Sequence, residues 1–317
     1  MTNETTVTIP KTAAFGEGIL YPPNLTPDLI STLKTSGIET LIIGLFHIES
    51  NGDIVLNDTT LIHYDESQQK SIYVGDPGWS AQLQELIGTE SQITQMEASI
   101  GGWATGDYER IKTIYQDNGD SFNNTAVQSN FQLFKSEFPT ITLIDTDVEE
   151  TYDQTSFVAF CQMLIAIGFG ITFCPYTETD FWTGSLNALN KSNPGAVKWW
   201  NLQCYAGGGG NDPDTWAGYI TSAIPGFKTD GFILASDWSR FYNTQDQAWE
   251  GDCAPAFESL MATFKGEASV GGGFVWNIDQ VEGYEAELKI HPDPAECSKT
   301  DRSLSDYIQA INNGLGN

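Results

Sequence analysis

The segment ITLIDTDVEE, residues 141–150, carries three carboxyl side chains at a spacing of two: Asp145, Asp147 and Glu149. In a β-strand alternate side chains point to the same face, so the three acids share one face, with neighbours ~6.5–7 Å apart along the backbone. Burial and like charge both raise carboxyl pKa values, so the set should hold at least one proton near neutrality. One acid can then protonate a leaving group while another stabilises positive charge, as cleavage of a glycosidic bond requires.

Two other interpretations of these acids are open from the residues alone. They could form a solvated strand end without function, or their oxygens could bind Mg²⁺ or Ca²⁺. The next acid, Glu150, faces the opposite side by parity and is interpreted as a surface acid or a helix cap. The three histidines are scattered and no Cys/His spacing resembles a metal site, so we expect neither a metal centre nor a cofactor.

Eight short apolar runs, most of them followed by a segment of helical character, make up the larger pattern that contains these acids. The runs span residues 12–21, 39–48, 92–100, 141–149, 169–176, 196–205, 230–238 and 270–278. Helical segments begin near Thr26, Thr155, Asp214 and Ser303, which stand in cap positions. The alternation, without a low-complexity linker, predicts an α/β fold: one (β/α)8 TIM barrel in which residues 1–317 form a single catalytic domain.

Two further sequence features bear on the barrel prediction. An Asn-Gly pair in SNGDIVLNDT, residues 50–59, predicts a small hairpin after the second strand. A doubly wound open sheet is the competing architecture, but prolines rather than a Gly-rich dinucleotide-binding turn follow the first run. The catalytic groups of a TIM barrel lie at the C-terminal strand ends, so we expect Ile141 and Leu143 deep in the barrel and the three acids near its mouth.

Four short motifs resemble those of glycoside hydrolase family 18, the chitinase family. They stand in the family's order, at the ends of the third, fourth, sixth and eighth predicted strands. The matching positions are IDTDVE (144–149) for the second half of DGxDxDxE, SIGG (99–102) for SxGG, Gln203-Cys204-Tyr205 for QxY, and Trp276 for the tryptophan under the sugar. Thr142 and Leu143 replace the Asp-Gly that opens the family signature, so the resemblance is to a divergent member.

The resemblance implies substrate-assisted retaining catalysis on β-1,4-linked N-acetylglucosamine, in chitin, chito-oligosaccharides or the chitobiose core of N-glycans. Glu149 would protonate the glycosidic oxygen and later deprotonate water, while the substrate's N-acetyl carbonyl would act as nucleophile. Asp147 would hold the acetamide N–H and Asp145 would share a proton with Asp147. Tyr205 would donate to the acetamide carbonyl and position it for attack.

The alternative is a non-catalytic chitinase-like lectin that binds such sugars without cutting them. The retained Glu149 favours the enzyme, because inactive relatives commonly replace that acid. The changed Thr142 and Leu143 favour the lectin. A hydrolase using a divalent metal at the three acids is the third hypothesis, and it requires the resemblance to be accidental.

Further side chains are expected to bind the sugar. Aromatic faces stack on the apolar faces of sugar rings, and Trp103, Tyr176 and Trp276 stand at or next to the ends of predicted strands. Burial in the core is the alternative for any of these rings. Ser99 and Gln203 complete the predicted substrate-binding set, from the motifs named above. His47, at the end of the second strand, is interpreted as structural.

Composition restricts the partners of the chain. With 42 acidic and 14 basic residues among 317, the net charge of -28 repels nucleic acid and anionic membranes. No run reaches the ~20 apolar residues of a membrane-spanning helix. We expect a monomer that binds an oligosaccharide or polysaccharide containing N-acetylglucosamine. The acidity suits solubility outside a cell or adaptation to salt.

Localisation and cysteine usage complete the sequence-based expectations. We expect a secreted, extracellular protein, although MTNETTVTIP, residues 1–10, has neither the basic nor the apolar region of a secretory signal. Three of the five cysteines lie in apolar segments and are expected to be free in the core: Cys161, Cys174 and Cys204. Cys253 and Cys297 lie in polar loops, where a bridge between them is plausible.

Overall fold

In the computed structural model, which describes residues 7–317, every one of the eight apolar runs overlaps a β-strand. Most of the N-terminal segment considered for a secretory signal therefore lies outside the described residues. The strands, numbered along the chain, are β1 Thr12–Gly16, β2 Thr40–Ile48, β3 Ile54–Leu56, β4 Thr59–Asp65, β5 Lys70–Tyr73, β6 Gln95–Gly101, β7 Ile141–Asp147, β8 Gly170–Phe173, β9 Val197–Leu202, β10 Ile233–Trp238, β11 Phe241–Asn243, β12 Ala248–Glu250 and β13 Val270–Trp276.

Eight of these strands form a closed parallel barrel in the order β1-β2-β6-β7-β8-β9-β10-β13. The barrel closes because β1 pairs in parallel with both β2 and β13. The helices around it are α1 Pro27–Thr35, α2 Trp79–Leu86, α3 Asp107–Asp117, α4 Ala126–Glu137, α5 Gln154–Ile167, α6 Thr179–Ser192, α7 Pro213–Ala223, α8 Ala254–Thr263, α9 Ile278–Ile290 and α10 Leu304–Leu315. The predicted (β/α)8 TIM barrel is confirmed.

The predicted hairpin after the second strand is confirmed and is larger than expected. β2 continues beyond the barrel to pair antiparallel with β3, and β4 and β5 add to the same sheet. Gly52 in the turn has φ +86°, and a Cβ there would stand 2.8 Å from the backbone nitrogen of Val127. The turn therefore needs glycine both for its backbone conformation and for its packing on α4. A second hairpin, β11–β12, follows β10.

Helix starts follow from capping side chains. The hydroxyls of Thr26 and Ser303 accept hydrogen bonds from the third residue of α1 and α10, as their positions in the sequence predict. The other two predicted starts are wrong by two residues, because Asp153 and Asp212 cap α5 and α7. Each aspartate accepts a backbone N–H at the first helical turn.

Two apolar clusters form the core, one between strands and helices and one inside the barrel. The inner cluster consists of Ala13, Phe15, Ile42, Leu143, Cys174, Trp199, Tyr205, Leu234 and Phe274. Leu143 lies inside the barrel as expected, but the expectation for Ile141 is wrong because Ile141 packs in the outer cluster. The pairing of β6 with β7 shifts by one residue at Thr142, so the alternation of faces is interrupted there.

The cysteines divide as the sequence suggests. Cys161, Cys174 and Cys204 are buried and free. Cys253 and Cys297 form a disulfide that ties the start of α8 to the segment between α9 and α10. Within residues 7–317 no helix combines the length and the apolar character needed to cross a membrane.

Candidate active site

A cavity of about 410 Å³ opens at the C-terminal ends of the barrel strands. Its wall is mainly aromatic and apolar, with two carboxyl groups and one amide on its floor. The lining residues are Leu45, Gly102, Trp103, Asp147, Glu149, Tyr176, Gln203, Tyr205, Ala206, Gly207, Trp238 and Trp276. The mouth of a TIM barrel is where catalytic and ligand-binding groups are found in this architecture.

The upper two acids meet at the side-chain amide of Gln203. Its Nε2 donates to Oδ1 of Asp147 over 3.0 Å and to Oε1 of Glu149 over 3.2 Å. Asp147 is 3% exposed, whereas Glu149 is half-buried and reaches the cavity. Asp147 ends β7 and Glu149 lies two residues further on, so both acids point to the same place. Gln203, directly after β9, is the donor that they share.

The third acid, Asp145, lies beneath the cavity rather than on its wall. It is fully buried and accepts three hydrogen bonds: from Ser99 Oγ at 2.7 Å, Asn201 Nδ2 at 2.9 Å and Thr172 Oγ1 at 3.0 Å. The prediction that Ser99 binds substrate is corrected by this geometry. Ser99 is itself fully buried, so it acts on the site through Asp145.

Asp145, Asp147 and Glu149 form a column of acids from the barrel interior to the cavity, and burial raises the pKa of each. The pKa of Asp147 lies well above its usual range, because burial and the neighbouring charges of Glu149 and Asp145 all disfavour ionisation. Burial raises the pKa of Glu149 against the hydrogen bonds from Gln203 and Asp147. The pKa of Asp145 rises to about 6, less than burial alone would produce, because its donors stabilise the carboxylate. The raised pKa values favour the protonated forms of these acids, which suits an acid catalyst.

Aromatic rings surround the two upper acids. Trp276, at the end of β13, packs against Phe15 with ring centroids 5.0 Å apart, and Tyr205 stacks on Trp238 at 5.6 Å. Trp103 is 77% exposed on the rim, which excludes the core interpretation for this ring. The predicted residue Tyr176 lines the cavity, and its hydroxyl donates to the backbone oxygen of Glu149 over 3.4 Å.

The loop after β9 packs against this site through glycines. A Cβ on Gly207 would stand 2.7 Å from the ring of Tyr176, and one on Gly208 would stand 2.1 Å from the backbone oxygen of Gln203. Neither position has room for a side chain, so the loop packs directly on Tyr176 and Gln203. The loop supports the residue that bridges the two upper acids.

Several residues of the site were missed by the sequence analysis. Glu97, Thr172 and Asn201 contact Asp145 or one another inside the barrel, and Leu45 lines the cavity. Parity offered a signal for two of these, because Glu97 shares a strand face with Ser99, and Asn201 shares one with Gln203.

Two residues with structural interpretations lie beside the site. The carboxyl of Glu150 is exposed and accepts a hydrogen bond from the backbone nitrogen of Gly106, at the start of α3. His47 Nδ1 lies 2.8 Å from Oδ2 of Asp107, whose other oxygen accepts from the backbone of Ile48. Both contacts fix the loops at the barrel mouth. Within residues 7–317, no group of three or more His, Cys, Asp or Glu side chains has an arrangement that could hold a metal ion.

Comparison with solved structures assigns the fold to a class. A GH18 chitinase from Pseudoalteromonas aurantia is 14% identical, with a TM-score of 0.59 over 96% of this chain and 100% of that chain. Active domain 2 of the thermostable chitinase from Pyrococcus furiosus, as catalytic-site mutants complexed with chito-oligosaccharides, is 11% identical, with a TM-score of 0.58 over 98% and 96%. The spore cortex-lytic enzyme SleL of Bacillus megaterium QM B1551 is 12% identical, with a TM-score of 0.53 over 96% and 74%.

These similarities show the fold: the chain has a (β/α)8 barrel that resembles those of GH18 chitinases. No protein-family model matches the sequence, and no curated protein matches it. At such low identity, what the barrel does has to be argued from the residues of its own site.

Proposed function

We propose that this protein is a glycoside hydrolase that cleaves β-1,4-linked N-acetylglucosamine by substrate-assisted retaining catalysis. The observation that carries the proposal is the contact of Gln203 with both Asp147 and Glu149 on the floor of an aromatic cavity. The arrangement supplies a proton donor, a second acid beside it and rings that can stack on a sugar.

Glu149 is the proposed acid and base, because it is the acid of the column that is half-buried at the cavity. It protonates the glycosidic oxygen as the bond from that oxygen to the anomeric carbon breaks. The substrate's own acetamide oxygen attacks the anomeric carbon and forms a cyclic oxazolinium ion. A water molecule then loses a proton to Glu149 and adds to the anomeric carbon as the bond from that carbon to the acetamide oxygen breaks. Glu149 thereby regains its starting form, the acetamide is restored and the anomeric configuration is retained.

Asp147 and Tyr205 position the acetamide in this proposal. Asp147 accepts the acetamide N–H and offsets the positive charge that develops on the oxazolinium ring. The Tyr205 hydroxyl, whose pKa is raised by burial, stays neutral and donates to the acetamide carbonyl oxygen. Asp145 lies one layer below and shares a proton with Asp147 when Asp147 becomes charged.

The proposed substrates all contain the N-acetylglucosamine-β-1,4-N-acetylglucosamine unit. Chitin and chito-oligosaccharides are supported by the chitinases of the same fold, one of which was solved with chito-oligosaccharides. The chitobiose core of N-glycans offers the same linkage and the same acetamide. Trp276, beside the catalytic acids, is proposed to stack under the sugar whose bond is cleaved.

A chitinase-like lectin is the second candidate, and the altered Thr142 and Leu143 are the observation that favours it. In the structure these residues lie away from the cavity: Leu143 packs in the inner apolar cluster and Thr142 is half-buried on another side of β7. Neither residue lines the cavity, and Glu149 and Asp147 both stand there. The hydrolase is therefore the function that the site supports better.

Turnover of a fluorogenic chitobioside or chitotrioside, with and without a chelator, separates the candidates. The hydrolase predicts turnover that the chelator leaves unchanged and that Glu149→Gln lowers by ~10²–10⁴-fold, the usual contribution of a general acid. Glu66→Gln, an acid removed from an exposed turn, is the matched control and should retain full activity. Calorimetric binding of chitotriose without turnover would replace the hydrolase by the lectin, and loss of activity with chelator would replace it by a metal-dependent enzyme.

We further propose that the protein works outside the cell as a monomer. The Cys253–Cys297 disulfide supports an oxidising compartment, and the net charge of -28 supports solubility there. Fractionation of the native host and light scattering of the purified protein test the two statements separately. A reduced cytoplasmic pool contradicts the first, and a stable dimer contradicts the second.

A further inference from the structure

A fourth acid, Glu97, lies below the catalytic column in the interior of the barrel. It stands on β6, its side chain is fully buried, and the register of β6 against β7 places it opposite Leu143, one layer under the Ser99–Asp145 pair. Its Oε2 lies 2.5 Å from Thr172 Oγ1 and 3.3 Å from Asn201 Nδ2, whereas Oε1 has no hydrogen-bond partner among the described residues. A buried carboxyl with one unpaired oxygen needs a physical explanation.

The hydroxyl of Thr172 links this acid to the catalytic column. It lies 2.5 Å from Oε2 of Glu97 and 3.0 Å from Oδ1 of Asp145. A hydroxyl has one hydrogen, so Thr172 can donate to only one of the two acids and must accept from the other. A carboxylate cannot donate, and therefore one of the two acids carries a proton when both contacts exist.

The other donors indicate which acid is protonated. Asp145 accepts from Ser99 at 2.7 Å and from Asn201 at 2.9 Å, whereas Glu97 receives only the longer 3.3 Å contact of Asn201. Trp199 Nε1 donates to Oδ1 of Asn201 over 3.0 Å, which directs the amide nitrogen of Asn201 toward the acids. The carboxylate therefore belongs at Asp145, where donors converge, and the proton belongs at Glu97.

The charges around the pair agree with this order. Besides Glu97, the titratable groups inside the barrel are Asp145 and Asp147 on β7, Cys174 after β8 and Tyr205 after β9. The other inner side chains named above are apolar or carry uncharged hydroxyl, amide or indole groups. No positive charge is found among these inner residues to compensate a second buried anion. Burial raises the pKa of Glu97 well above its usual range, and the charge of Asp145 raises it further.

We propose that Glu97 is a positioning residue of this site: a neutral acid that donates through Thr172 to Asp145 and keeps Asp145 in its charged form. This inference rests on the proposed function, since Asp145 takes part in catalysis only if the barrel is a hydrolase. A charged Asp145 disfavours a second charge on Asp147, so the proton that these two acids share rests on Asp147 until positive charge develops on the substrate. Glu97 acts through Thr172 and touches no substrate.

Kinetics of three variants test the relay. Glu97→Gln keeps a neutral donor of the same shape and should retain kcat within about twofold with the same pH profile. Glu97→Leu and Thr172→Val each remove the link and should lower kcat by about tenfold, within the range of coupling in one hydrogen-bonded network, with KM unchanged. The double variant Glu97→Leu/Thr172→Val should have a kcat no lower than that of the less active single variant, because both substitutions break the same link. Additive losses, or inactivity of Glu97→Gln, would overturn the relay.

Carbon-13 NMR of the side-chain carboxyls tests the protonation state without any need for turnover. In protein labelled at glutamate, the resonance that disappears from the spectrum of Glu97→Gln belongs to Glu97. In the wild-type protein this resonance should keep the chemical shift of a neutral carboxyl group from about pH 5 to about pH 8. An ionised Glu97 in this range overturns the inference. A neutral Glu97 in a wild-type protein that turns over no chitooligosaccharide leaves the relay intact and refutes the hydrolase.

Discussion

The side-chain nitrogen of Gln203 lies 3.0 Å from Oδ1 of Asp147, so the end of one barrel strand fixes an acid that rises from another. The same nitrogen is 3.2 Å from Glu149, and a single side chain thereby holds two acids whose pKa values are both raised. The contact with one shared donor keeps the two acids side by side at the cavity. The following predictions concern this arrangement and the elements that hold it.

Replacement of Asp147 by asparagine should lower kcat by at least ~10²-fold, because the amide cannot offset positive charge on the oxazolinium ion. The fold should be retained, since burial favours the neutral form of Asp147 before the reaction begins and asparagine is a neutral side chain of nearly the same shape. Steady-state kinetics on a fluorogenic chitobioside check the rate, and circular dichroism checks the fold. Activity equal to wild type would remove Asp147 from the proposed mechanism.

The two tryptophans of the cavity should affect activity differently. Trp276→Ala removes the ring packed on Phe15 beside the acids, and KM should rise by about tenfold, equivalent to about 1.4 kcal/mol. Trp276→Phe keeps an aromatic face and should lose less. Trp103→Ala, at the exposed rim, should leave a disaccharide substrate unaffected and weaken longer oligomers. Equal effects of the two alanine variants on every chain length would contradict this arrangement of binding positions.

Stability should fall as the pH rises, because buried acids keep their protons in the folded state. Asp237, on β10, is 4% exposed with Oδ2 unpaired among the described residues, and burial together with nearby Asp252 raises its pKa to about 8. A folded-state pKa above the unfolded value of 3.8 contributes stability that is complete below 3.8 and is lost as the pH rises through about 8.

Asp237→Asn should therefore flatten the fall in Tm across this pH window and make the variant the more stable protein at its alkaline end. Scanning calorimetry at a series of pH values measures this. Asp58→Asn, in an exposed turn, is the matched control and should follow the wild-type curve. The same slope in wild type and Asp237→Asn would show that Asp237 does not hold the proton.

The disulfide should stabilise the barrel without contributing to catalysis. Cys253 and Cys297 are 44 residues apart, and the loss of a cross-link of that span costs about 4 kcal/mol in the chain-entropy account. Urea unfolding of the Cys253→Ser/Cys297→Ser variant should show this loss, while kcat on a chitobioside stays at the wild-type value. Thiol titration of the native wild type should detect no free cysteine, because the other three are buried.

The barrel could be predicted because its signals are local. Apolar runs, cap residues and an Asn-Gly turn each act over a few residues, and they located eight strands and one hairpin. Local ambiguity explains the misplaced helix starts, since Asp153 lies two residues from Thr155 and either can cap a helix. Ile141 was misplaced for a related reason, because the irregular pairing at Thr142 depends on the neighbouring strand.

The lower layer of the site could not be predicted in this way. Glu97 and Thr172 are 75 residues apart, and Glu97 and Asn201 are 104 apart, so only the closed barrel brings them together. Whether a polar residue is buried, and which residue it pairs with, depends on how neighbouring strands are aligned. The spacing of residues within one run does not determine that alignment. The column of three acids was recognisable because its members share one strand.

The glycine loop limits how this barrel can be diversified. A side chain at Gly207 would collide with the ring of Tyr176, and one at Gly208 with the main chain of Gln203, so substitutions at either codon should disturb the site rather than reshape it. Substrate range is better altered on the part of the rim that carries Trp103, because a replacement of this exposed ring would disturb little packing. Directed evolution toward longer or branched glycans should start from that side of the opening.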